Sequence, residues 1–330
     1  MNNWTRMACL VLGTWLGCAS AEDTTATPGA VTAGSARAGT VVDIKPYRIY
    51  LLDIATAGDR LVAVGERGFV LISDDVGKSW KAIGTPVVRG LTGVAFNGDK
   101  IGVAVGHGGS LVRTEDGGSS WIEVPMEDAY GESFLGVTAL GDGRFCAYGA
   151  FGIYFDTTDG GRTWMRRQVI SEDFEAHISQ VILGRHGLMG LVGESGTLAR
   201  SEDDGQTWVQ VPSDYPGSYF GAVQAKDDSM VVFGMRGSVF RSTDRGFSFQ
   251  KVEIGTTASL NGGTVLSDGR IVLVGNAGLV ATSTDNGQSF KIEWSPAGKG
   301  FSALVETTGG LVVVGEAGVG TLDLSTLVTK

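Results

Sequence analysis

The chain has 330 residues and a formal charge of -10. That balance excludes a general nucleic-acid binder, whose phosphate contacts need an excess of Lys and Arg, and a general affinity for anionic membranes. Glycine supplies 52 residues without a Gly-X-Y period, and the three histidines, His107, His177 and His186, are not paired at ligand spacing. The composition therefore fits a turn-rich globular protein with no metal site and no cofactor.

Residues 1–21 read as an export signal. Arg6 is the only charge, Met7 to Leu16 is an apolar run too short to span a bilayer, and Ala19-Ser20-Ala21 is a cleavage pattern. Gly17-Cys18 offers a second reading, a lipoprotein signal acylated at Cys18. Residues 22–40, rich in Thr, Ala and Gly, form a flexible leader. An exported protein is expected, periplasmic or anchored at the envelope, with membrane contact only through that lipid. Cys146 is then the one thiol of the folded part, in a strand pattern that buries it as a small apolar group.

From residue 41 to 324 the chain repeats itself, and 325–330 remain as a tail. One phrase, exemplified by Thr157-Thr158-Asp159-Gly160-Gly161-Arg162-Thr163-Trp164, recurs six times and ends at Trp80, Trp121, Trp164, Trp208, Phe249 and Phe290. The intervals are 41, 43, 44, 41 and 41 residues, the period of a β-propeller blade. A second phrase, exemplified by Val64-Gly65-Glu66-Arg67-Gly68, recurs seven times and reads as a hairpin turn between two apolar strands. An inner strand with small residues, such as Leu91-Thr92-Gly93-Val94-Ala95, precedes each hairpin, and a fourth strand follows each six-fold phrase. Four strands, repeated radially, predict an all-β, seven-bladed propeller. The seventh unit lacks its fourth strand, and Thr40 to Lys45 is a spare one. We expect that N-terminal strand to complete the last blade and close the ring.

The six-fold phrase is built for a turn. Its aspartates, Asp75, Asp116, Asp159, Asp203, Asp244 and Asp285, can accept hydrogen bonds from nearby backbone N–H groups. The glycines Gly77, Gly118, Gly161, Gly205, Gly246 and Gly287 take the strained position, and the aromatic residue packs between blades. A calcium reading lacks the distal bidentate acid of a complete loop.

This phrase is the Asp-box, found in sialidases, in sortilin-type receptors and in photosystem II assembly factors of the Ycf48/HCF136 type. The whole unit, with its Val-Gly-x-x-Gly turn before the box, most resembles the Ycf48/HCF136 family over about residues 41–324. The resemblance implies a noncatalytic assembly or stability factor, monomeric, that holds a membrane or envelope protein complex. Tyr47-Arg48-Ile49-Tyr50 approaches a sialidase motif but lacks its proline, so a sialidase-like glycan hydrolase is the alternative. A small-ligand sensor using the axial channel is a third reading.

A partner would meet the variable face, where the Gly-x-x-Gly turns offer Arg67, His107, Phe151, Glu194, Met235, Arg236 and Asn276. The starts of the inner strands add Tyr50, Phe134, His177, Tyr219 and Phe301 as a possible aromatic collar. The connections Glu127-Asp128-Ala129-Tyr130, Glu172-Asp173-Phe174-Glu175 and Asp214-Tyr215-Pro216 interleave acids with aromatics, which fits a peptide or protein ligand of some positive charge.

Overall fold

The computed structural model describes residues 41–42, 45–46 and 48–329. The expected export signal, Cys18 and the leader lie outside them. The chain forms seven antiparallel sheets arranged as a propeller. Their inner strands are Leu51–Ala57, Leu91–Asn97, Phe134–Gly141, Ile178–Leu183, Tyr219–Gln224, Leu260–Val265 and Phe301–Thr307. These define blades 1 to 7.

Each second strand is a continuous apolar run, such as Leu61 to Val64 or Phe145 to Tyr148, and is almost fully buried. A neighbouring blade covers each of its two faces, so the alternation of a one-sided sheet is absent. The core is accordingly divided into wedges between blades. Val64 and Ile72 of blade 1 meet Val94, Ala104 and Trp121 of blade 2. Leu51, Leu61 and Leu71 of blade 1 meet Val312 and Val314 of blade 7, and this wedge closes the ring.

Among the described residues the expected closure by an exchanged strand does not occur. Val41–Val42 pairs with Lys81–Gly84 as a fifth strand of blade 1, and blade 7 has three described strands. At the open edge of blade 7 the Val319 N–H donates to the Pro46 carbonyl at 3.2 Å. Proline has no N–H to return, so the ladder cannot propagate from that contact. The C-terminal segment goes to blade 6, where Val328 bridges Trp294.

The boxes form the turns between third and outer strands. In each, the Ser or Thr hydroxyl donates to the Asp Oδ1 and accepts from the box glycine N–H, as at Ser201, Asp203 and Gly205 (2.7 and 2.9 Å). The Asp then accepts the N–H and hydroxyl of the residue four positions on, Thr207 in that box, at 2.9 and 2.6 Å. The box glycines all have φ between 81° and 87°, a region where a side chain is strained. Trp80, Trp121 and Trp164 donate Nε1 to the box glycine carbonyl at 3.0–3.2 Å.

Arginines tie one blade to the box of the next. Arg60 donates to the Gly117 carbonyl, Arg113 to Gly160, Arg200 to Arg245 and Arg241 to Asn286. Arg144 instead reaches the Asp204 carboxylate at 3.5 Å. Arg113 and Arg200 are buried yet keep their charges paired, with Glu115 at 2.7 Å and Glu202 at 2.6 Å.

Candidate functional site: the turn face and the axial cavity

The face opposite the boxes carries the seven Gly-x-x-Gly turns. Their two glycines serve different ends. A Cβ on the first would lie 2.0–2.3 Å from the carbonyl that precedes an inner strand, as Gly65 would from Tyr50. That carbonyl accepts the N–H of the next residue, as Tyr50 does from Glu66 at 3.1 Å and His177 from Glu194 at 2.9 Å. The second glycine is left-handed, with φ 67° at Gly68. The residue between them is left-handed too: Arg67, Phe151, Ser195, Arg236 and Ala277 have φ of 51–63°. A non-glycine residue there is uncommon and strained. Five turns hold such a residue outward, on backbone pinned by hydrogen bonds.

The inner strands share a second irregularity. Every one shifts register between its first and third residues, as Leu51 pairs with Gly65 and Asp53 with Val64. A bulge re-aims the extra side chain. All seven extra residues (Leu52, Thr92, Leu135, Ser179, Phe220, Asn261 and Ser302) line one axial cavity of about 570 Å³.

This bulge displaces the expected aromatic collar by one residue. Phe134 and Tyr219 are fully buried, and their neighbours Leu135 and Phe220 take the cavity wall. Phe301 packs into the wedge between blades 6 and 7. His177 does line the cavity, and Tyr50, 40% exposed, stands at its mouth with His107 and Asn276. Phe151, 55% exposed, sets its ring edge-on to His177 at 5.0 Å, and His177 Nδ1 accepts the Phe151 N–H at 3.1 Å. Glu194 lies 3.6 Å from the same nitrogen. Arg67, Met235 and Arg236 stand on the face but off the cavity wall. Tyr47 of the sialidase-like motif lies outside the described residues, and Arg48 is exposed.

Asp53 and Gln180 were not singled out in the sequence. The residue after the bulge is Gly93, Gly136, Gly221, Gly262 or Ala303 in five blades and one of these two in the others. Both bridge to the next inner strand. Asp53 accepts the Val94 N–H at 2.9 Å and Gln180 the Ala222 N–H at 2.7 Å. The departure from a small residue was the available signal. Burial pushes the Asp53 carboxyl up to about 6, against the pull of the Val94 and Ile54 N–H groups. Burial likewise pushes the Cys146 thiol up to about 12, and the residue is inaccessible. Among the described residues no group of three or more His, Cys, Asp or Glu side chains is placed to hold a metal ion.

A solved structure described as "YCF48 bound to D1 peptide" matches with 17% identity and a TM-score of 0.67, over 87% of this chain and 98% of that one. YCF48 from Cyanidioschyzon merolae matches with 20% identity and a TM-score of 0.66, over 86% of this chain and 97% of that one. A GH74 enzyme from Niastella koreensis matches with 13% identity and a TM-score of 0.66, over 86% of this chain and 53% of that one. At these identities the likeness is one of fold alone. No curated protein matches. The family described as "Photosynthesis system II assembly factor YCF48" matches residues 37–165 and 144–309, most of the chain. With its seven blades, six Asp-boxes and seven Gly-x-x-Gly turns, this chain belongs to that family.

Proposed function

We propose that this protein is a noncatalytic scaffold, exported and monomeric, that holds a subunit of a membrane or envelope protein complex during assembly. The observation that carries the reading is the turn face. Its side chains stand out from backbone that is already fixed, so a partner would bind with little ordering cost. The connections on this face add exposed Glu127, Asp128, Glu172, Asp173, Glu175 and Asp214. Among the described residues none of these six lies in an ion pair, whereas the box face pairs its acids with arginines. Tyr130, 78% exposed, and Phe151 supply apolar anchors among the acids. A partner segment with basic and apolar side chains fits this pattern. Family membership points the same way, as does the solved relative captured with a peptide. A glycan hydrolase of the sialidase kind has less support, because among the described residues no arginine lines the axial cavity to receive a carboxylate.

The test is affinity capture from detergent-solubilised envelopes, comparing the native protein with a variant carrying Arg67→Gly, Phe151→Gly and Arg236→Gly. Glycine is the residue a left-handed turn prefers, so the variant keeps the fold. Recovery of a membrane-protein complex by the native protein, lost in the variant, is the expected result. Equal recovery by both, or none by the native protein, overturns the assignment of the face.

A further inference from the structure

The geometry points to the axial cavity as a binding site for an alkylammonium group, with the ammonium at Asp53 and its stem against Leu52, Leu135 and Phe220. Seven bulges at one position aim side chains of five different types into a single space, while the residues before them are all large and apolar or aromatic and five of the seven after them are small. Packing alone does not require that variety, and bulges elsewhere recur where a side chain must be re-aimed. Three of the seven are apolar, and they come from blades 1, 3 and 5. They can therefore surround a stem from separate directions.

The charge is the second observation. Among the described residues Asp53 is the one carboxylate set into the inner strands of the cavity wall, Glu194 stands by its mouth, and no Lys or Arg lines the space. Bridging to the next blade does not need a charge, because Gln180 makes the equivalent bond with a neutral amide. Each Asp53 oxygen accepts one backbone N–H, from Ile54 and from Val94, which leaves acceptor capacity on both. A largely buried carboxylate without a counter-ion is costly, and a cation entering the cavity relieves that cost. His177 and Glu194 face the same space, with a Glu194 oxygen 3.6 Å from His177 Nδ1. The ammonium can belong to a free small amine or to a lysine side chain presented at the mouth. This inference does not depend on the reading of the surrounding face as a docking surface.

The experiment is titration calorimetry of the whole protein near neutral pH with two probes, n-pentylamine and an acetylated, amidated Gly-Lys-Gly peptide, each beside a neutral counterpart, 1-pentanol and the norleucine peptide. Saturable binding of at least one amine, with its neutral counterpart weaker by roughly tenfold or more, is expected. Preference for the peptide identifies a protein source, and preference for pentylamine a free one; either supports the site. Asp53→Asn lowers the affinity by roughly tenfold, and Asp53→Gln, which copies blade 4, does the same with the bridge retained. Phe220→Ser weakens binding by a smaller factor. No saturable binding of either amine, or native affinity kept by both Asp53 variants, overturns the proposal. Thermal unfolding of the Asp53 variants no lower than that of the native protein shows that a loss of binding is not a loss of fold.

Discussion

The two faces of this propeller are built from equally regular turns, and they spend their regularity differently. In the box turns the Ser or Thr hydroxyl, the glycine N–H and the Asp carboxylate answer one another inside the turn, and the acids are held in their charged form. The Thr207 hydroxyl, then its N–H, hold the Asp203 carboxyl down at about 2. In Asp159 burial works the other way, but the Thr163 and Thr157 hydrogen bonds prevail and it too lies at about 2. The Gly-x-x-Gly turns satisfy their backbone and leave their side chains outward, at left-handed residues that are strained. Strain kept at a rigid, exposed position costs stability and is held only because the surroundings over-determine it. One face holds the blades in place, and the other carries what varies between them.

Substitutions should separate these roles. Trp121 is fully buried between blades 1 and 2 and meets the Phe96 ring at 6.3 Å. Trp121→Ala should cost about 3–5 kcal/mol in chemical unfolding, and a smaller loss would mean that the wedge collapses around the cavity. Arg113→Ala leaves the Gly160 carbonyl without its donor and should cost roughly 2–3 kcal/mol; its effect should be strongest at the seam between blades 2 and 3, read by hydrogen exchange.

Asp53 and the box acids should respond to pH with opposite signs. Four box acids, Asp75, Asp159, Asp203 and Asp244, have folded values near 2 against 3.8 for the free side chain. Their contribution is complete above the free value and is lost as pH falls from about 4 towards 2. Asp53 is raised from 3.8 to about 6, so the native protein loses stability as pH rises through that interval. Asp53→Asn should therefore unfold at a higher temperature than the native protein above pH 6, with a gain on the order of 1–2 kcal/mol. That gain should vanish below pH 4, and a constant difference across pH would exclude ionisation as its cause. The smallest effect belongs to Ala277→Gly, which relieves a left-handed residue at φ 57°. It should stabilise by about 0.5–1 kcal/mol, and a destabilisation would show that the turn is not strained.

The repeat was legible because its causes are local. A box closes its hydrogen bonds within seven residues, from Ser73 to Ser79 for example, so residue types and spacing suffice to define it. Ring closure was not local. The two residues Val41–Val42 suit any blade edge, and the deciding feature is a proline facing blade 7. The cavity wall was missed by one position, since a bulge turns the side chain that strict alternation would bury. Leu135 and Phe220 sit beside the residues that alternation selects. Asp53 was visible only as a break, shared with Gln180, in a column of small residues, and that column becomes readable once the bulges align the seven strands.

The seam between blades 1 and 7 has a consequence for how such a ring changes over generations. Among the described residues no strand is exchanged across it, and the strands of each blade come from one uninterrupted stretch of chain, with only the Val328 bridge reaching blade 6 from beyond blade 7. A duplication or deletion of a single repeat inserts or removes a whole wedge and strands no partner sequence elsewhere. The number of blades is then set by how many wedges fill the circle, and the tract encoding one blade can be copied, lost or exchanged as a unit.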